Sequence, residues 1–172
     1  MVILGIDPSL TGTGCIKLSK GKIIVRQLIR TKPVAKNTIK ELSRLQAIRD
    51  LIDLKDVKYA ALEGLAMSTR NSTALTQLSG LNYMIREYLH TNGIEFIVVP
   101  PTQLKKFVSG KGNCKKDLML LETYKRYGES FEDDNLCDAF CLAKIAEAYF
   151  LGAKTNKIQA DALESLKSQN YG

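Results

Sequence analysis

Four polar residues stand where the chain is otherwise apolar: Asp7, Glu63, Asn135 and Asp138. Asp7 ends the run Val2-Ile3-Leu4-Gly5-Ile6 and precedes a turn that Pro8, Gly12 and Gly14 make tight; Glu63 ends Tyr59-Ala60-Ala61-Leu62 and precedes Gly64. Carboxylates at the ends of strands face the crevice beyond a sheet, although an Asp there also caps turns through its own backbone. Asp138 sits in a helical run whose residues three, four and seven positions on are Cys141, Leu142 and Ile145, so it lies on the buried stripe. An inward carboxylate without a cation or an arginine costs several kcal/mol or is protonated. Asn135, one turn earlier, offers a side-chain carbonyl oxygen on the same face. This oxygen-only set suits Mg²⁺, with Mn²⁺ as a substitute, rather than zinc. Two such ions roughly 4 Å apart would activate a water and stabilise the leaving 3′ oxygen in phosphodiester hydrolysis.

The charge distribution fits a polyanionic substrate. The net charge of +7 is concentrated in residues 17–50, with ten Lys and Arg against Glu41 and Asp50, and in residues 101–127, with seven against Asp117 and Glu122. Residues 128–172 carry four basic against eight acidic residues. Lysines that hold a phosphate backbone beside carboxylates that hold a metal are what a phosphodiester-processing enzyme needs. The four cysteines, Cys15, Cys114, Cys137 and Cys141, lack zinc-ligand spacing, with His90 the one imidazole in the chain, and read as reduced core thiols. No apolar stretch approaches the roughly 20 residues needed to cross a bilayer, and the chain opens on an apolar strand rather than a basic leader. A cytoplasmic protein is expected, in a bacterial cell or a phage-infected host, with no membrane partner.

The elements that must position these residues follow from periodicity. Strands are expected at Val2–Ile6, Gly14–Leu18 and Lys22–Thr31 as an antiparallel meander turning at Ser19-Lys20-Gly21, then at Val57–Leu62 and Ile94–Val99. Helical spacing appears from Asn37, with Ile39, Leu42, Leu45, Ile48 and Leu51, and from Ser72, an N-cap, to Asn92-Gly93. A short basic helix at Gln103–Val108 and helices at Lys115–Tyr127 and Asn135–Phe150 complete the order. Strands joined by crossover helices give an α/β protein of ribonuclease H-like fold: a five-stranded mixed sheet, three antiparallel strands then two parallel, with helices on both faces. Residues 1–150 are expected to form the nuclease domain and 151–172 a C-terminal extension, a short helix or tail.

Val2-Ile3-Leu4-Gly5-Ile6-Asp7-Pro8, Ala61-Leu62-Glu63 with Asn71-Ser72-Thr73-Ala74-Leu75, Thr102-Gln103-Leu104-Lys105, and Asp138-Ala139 in its helix resemble the RuvC-type Holliday junction resolvases, in order over residues 1–150. The resemblance implies a homodimer that binds four-way DNA junctions, with other branched DNA as a further class of substrate, and makes paired, symmetric, metal-dependent nicks with ligatable 5′-phosphate ends. It implies Asp7, Glu63 and Asp138 as catalytic acids, with Asn135 at the remaining acidic position and Asp134 beside it as a substitute in less favourable register. Lys105 and Lys116 match basic positions that approach the scissile phosphate, with Lys115 an alternative to Lys116. Where the family carries a stacking aromatic this chain has Ala66, leaving Met67 or Leu65 as an apolar wedge and Arg70 as a phosphate contact. The helix 72–90 is implied as the dimer element, with further apolar surface at Met84 and Tyr88. Asn135 leaves open a junction-binding protein without cleavage. Asp7-x-x-x-x-Gly12-x-Gly14 also resembles the phosphate loop of sugar kinases and actin-like ATPases, but those need two such domains and a longer chain.

Overall fold

The computed structural model describes residues 1–34, 37–66 and 72–170. In chain order it contains β1 (Val2–Asp7), β2 (Gly12–Ser19), β3 (Lys22–Arg30), α1 (Thr38–Asp50), β4 (Val57–Glu63), α2 (Thr73–Thr91), β5 (Glu95–Val99), α3 (Pro101–Ser109), α4 (Lys116–Tyr127), α5 (Asp134–Leu151) and α6 (Lys157–Asn170). The sheet order is β3-β2-β1-β4-β5. β1 pairs antiparallel with β2 and parallel with β4, and β4 pairs parallel with β5, so the expected mixed sheet is present. Lys20 and Gly21 both take positive φ, the backbone that lets a tight hairpin match the strand twist between β2 and β3.

Side-chain alternation divides the core. On β1, Leu4 and Ile6 point to a cluster completed by Leu45, Ile48 and Ile52 near α1 and by Leu81, Ile85 and Leu89 of α2. Ile3 points the other way, into a cluster with Phe107 of α3, Met119 of α4 and Phe140, Leu142 and Ile145 of α5. A period of two then places Gly5 and Asp7 on the α5 side with Ile3, and Glu63 on that side with Ala61. Both strand-end carboxylates therefore meet α5 rather than solvent on the α1 and α2 side.

The helix at 37–51 buries less than its spacing predicts. Leu45 and Ile48 are buried, whereas Ile39 is 77% exposed and Leu42 and Leu51 are also exposed. Successive steps of three residues fall about 60° behind a helix of 3.6 residues per turn, so the run winds off the core face at both ends. Beyond residue 151 the outcome is a helix that belongs to the core. Ala162, Leu163 and Leu166 of α6 are buried in the α5-side cluster, and Gln103 of α3 donates to Ser165 at 2.9 Å. Asn156 and Gln159 cap this helix reciprocally, each side chain accepting from the other's backbone N–H.

α5 lies directly on the sheet because β1 and β2 have no side chains where it crosses. A Cβ on Gly5 would stand 1.9 Å from the Ala139 carbonyl oxygen, and one on Gly14 2.2 Å from that of Asn135. This close approach brings Asp138 to the end of β1. Gly5→Ala is expected to cost about 1–3 kcal/mol by forcing helix and sheet apart, read as a lowered midpoint in chemical denaturation. Leu166→Ala is expected to cost about 2–4 kcal/mol within a single cooperative transition, the mark of α6 folding with the domain rather than as a tail.

Candidate active site

At the carboxyl ends of β1 and β4 lies a crevice of about 270 Å³ with walls from α2, α3, α4 and α5. Its polar lining includes Glu63, Lys105, Lys116, Asp134 and Asp138, and Pro8, Leu78 and Met119 are among its apolar walls. Asp7 is buried, 6% exposed, and its carboxyl is hydrogen-bonded to that of Glu63. Two local devices fix these strand ends. Thr13 Oγ1 accepts from the Ser9 N–H at 3.1 Å and donates to the Ser9 carbonyl at 2.7 Å, closing the turn after Asp7. Gly64 N–H donates to the Val99 carbonyl at 2.8 Å, and the buried Asn82 of α2 donates to the Glu63 carbonyl at 2.8 Å while accepting from Arg86. Asn82 was not singled out from the sequence, although a polar residue between Leu81 and Ile85 on an apolar stripe is the same kind of signal as Asp138.

Asp7, Glu63 and Asp138 thus meet, and so do Lys105 and Lys116. Asn135 is placed on the β2 side of α5: its backbone packs on Gly14, the strand partner of Asp7, and its amide nitrogen lies 3.2 Å from the place a Gly12 Cβ would take. Asp134 lines the crevice, and Lys116 Nζ donates to its Oδ2 at 2.7 Å. The physical reason is rotational. α5 starts at Asp134, with Asp133 as N-cap accepting from the Asn135 and Leu136 N–H groups, and a residue four positions from Asp138 lies about 40° round the helix while one three positions away lies about 60° round on the other side.

Lys115 is the exposed N-cap of α4 and does not line the crevice, so Lys116 is the one of the pair that reaches it. Leu65 and Ala66 line it; Met67 and Arg70 fall outside the described residues. Met84 and Tyr88 are half-buried against the α1-side core, and Tyr83 is the exposed aromatic of α2, 64% accessible with Arg86 over its ring. All four cysteines are free and buried, as expected of core thiols.

The carboxyls are pushed toward their neutral forms. Burial is the largest cause for each. It raises Asp7 well above the usual carboxylate range, with the charge of Glu63 adding to it; it raises Glu63, against the pull of its hydrogen bond to Asp7 and of Lys105; and it lifts Asp138 to about 7, with Glu63 and Asp134 adding repulsion. Among the described residues no three carboxyl, thiol or imidazole groups stand ready around one point to hold a metal ion. Asp7 and Glu63 are turned toward each other, sharing the hydrogen bond. An all-oxygen set whose members repel suits a hard divalent cation, which would replace that shared proton.

Comparison with known proteins follows the same geometry. Residues 3–145 match the family model described as crossover junction endodeoxyribonuclease RuvC. The protein of that name from Brachyspira hyodysenteriae is 30% identical over 151 residues, covering 83% of this chain and 91% of its own. The one from Caldicellulosiruptor saccharolyticus is 27% identical over 150 residues, covering 83% and 90%. The solved structure of Thermus thermophilus RuvC in complex with Holliday junction substrate has a TM-score of 0.68 at 18% identity, covering 90% of this chain and 98% of that one, which is agreement in fold. The alternative of a binding protein that does not cut finds no support among relatives named as endonucleases.

The raised carboxyl at Asp138 sets a pH dependence. Between its unfolded value of 3.8 and its folded value of about 7 the native state holds a proton that the unfolded chain releases, so stability falls as pH rises through that window. In chelator-treated protein the thermal midpoint should decline from pH 5 to pH 8, and Asp138→Asn should make the decline shallower; a profile that rises over this range contradicts the assignment.

Proposed function

Because the chain belongs to the RuvC family of crossover junction endodeoxyribonucleases, we propose that it resolves four-way DNA junctions by metal-dependent phosphodiester hydrolysis, with related branched DNA as further substrates. The observation that carries this reading is the meeting of carboxyls from β1, β4 and α5 in one crevice flanked by Lys105 and Lys116. Asp7, Glu63 and Asp138 would hold Mg²⁺, or Mn²⁺ in its place, as a two-ion site. When bound, such ions supply Lewis-acid activation of a water and stabilisation of the leaving 3′ oxygen.

The chain's own residues do the rest. Lys105 and Lys116 stand on the α3 and α4 walls, where their ammonium groups can hold the scissile phosphate against the carboxylates. The basic segments 17–50 and 101–127 supply backbone contacts that position DNA without reading its sequence. Leu65 and Ala66, at the mouth of the crevice, present small apolar surface to an opened junction, with no aromatic stack. Two sites acting in a homodimer would make paired nicks, and α2, with Tyr83 outward, is the element for that pairing. No helix among the described residues is long and apolar enough to cross a membrane.

The test is nicking of a synthetic four-way junction in Mg²⁺ and in Mn²⁺, beside flap, fork and linear duplex DNA. The wild-type protein should cut the junction selectively, leaving ligatable ends, and Asp7→Asn should lose roughly 1,000-fold or more in rate while still binding the junction. Equal cutting of linear duplex, or equal rates for the two proteins, would refute the reading.

A further inference from the structure

Asp134 stands in the first turn of α5 and lines the crevice together with Asp138, to whose repulsion its charge contributes. Its partner, Lys116, comes from α4, and that side chain is 75% exposed. An ion pair this open to solvent contributes little and is easily exchanged. Asn135, by contrast, lies on the β2 side of the helix, where its backbone touches Gly14. A carboxylate at the N-terminal end of a helix, on the crevice wall one turn from Asp138 and paired with an exposed ammonium, is a ligand in reserve.

We infer that Asp134, not Asn135, completes the cation-binding set with Asp7, Glu63 and Asp138, and that Lys116 occupies its carboxylate until a divalent cation enters. This rests on the metal-dependent reading above. The acidic position that appears lost at Asn135 is then displaced by one residue rather than absent. On exchange, Lys116 is released at the edge of the crevice, where an incoming phosphate can take it as a partner. Loading with metal and freeing the lysine become one event.

The experiment is Mn²⁺ binding to the intact, DNA-free protein by calorimetry and by the loss of the free-ion electron paramagnetic signal, so that cleavage is not the readout. Asp134→Asn should weaken Mn²⁺ binding about tenfold or more, Asn135→Ala should leave it within about twofold, and Lys116→Met should tighten it by removing the competitor. Asp7→Asn serves as the reference for a lost ligand. If Asp7→Asn weakens binding and Asp134→Asn does not, the role of Asp134 is overturned while the metal reading stands. If Asn135→Ala weakens binding as much as Asp7→Asn does, the assignment is overturned in favour of Asn135. If the wild-type protein binds no Mn²⁺, both the inference and the metal reading fall.

Discussion

Carboxyl groups brought together away from water repel one another, and that repulsion is the constraint around which this protein is arranged. Asp7, Glu63 and Asp138 come from β1, β4 and α5, elements far apart in sequence, and each is raised toward its neutral form chiefly by burial. Left alone, such a cluster relieves itself by protonation or by moving apart. Here it is kept together by structure that does not share its energetics: central strands, a helix seated on glycine, carbonyls tied off by Thr13 and Asn82, and the Gly64 N–H held by the Val99 carbonyl. The repulsion that remains is what a divalent cation, on the proposed reading, would relieve.

The scaffold holds the cluster through few degrees of freedom. β1 is central in the sheet, so its end is fixed by neighbours on both sides. The absence of side chains at Gly5 and Gly14 sets the depth of α5, and with it the height of Asp138 above the strand ends. On the outer side, α3 carries Lys105 and is braced from behind by α6 through Gln103, Ser165 and the buried Leu166. Stability and site geometry are therefore coupled, and a substitution that lifts a helix from the sheet by a fraction of an ångström also moves a charge.

Much of this was legible in the sequence where one rule decided the outcome. Apolar strands ending in Asp7 and Glu63 have a fixed parity, so their facing is set once the strands are recognised, and the order of strands and helices leaves one economical sheet. Asp138 was legible because the residues three, four and seven positions on are all buried. Legibility ended where a small rotation mattered. Asn135 and Asp134 lie on opposite sides of the Asp138 direction, and choosing between them requires knowing that β2 approaches one flank and α4 the other. Lys115 and Lys116 differ by the same kind of detail, because the helix begins between them. The role of α6 was obscured because its apolar residues are few, and they count only once α3 and α5 are there to receive them.

The central proposal is that this carboxyl crevice takes a divalent cation in exchange for its own proton and lysine. Anomalous diffraction from crystals soaked in Mn²⁺ near pH 8 tests it most directly. Manganese peaks are expected in the crevice between Asp7, Glu63 and Asp138, with the Asp7–Glu63 hydrogen bond opened. Full Mn²⁺ occupancy elsewhere on the molecule, with those carboxyls still paired, would contradict it.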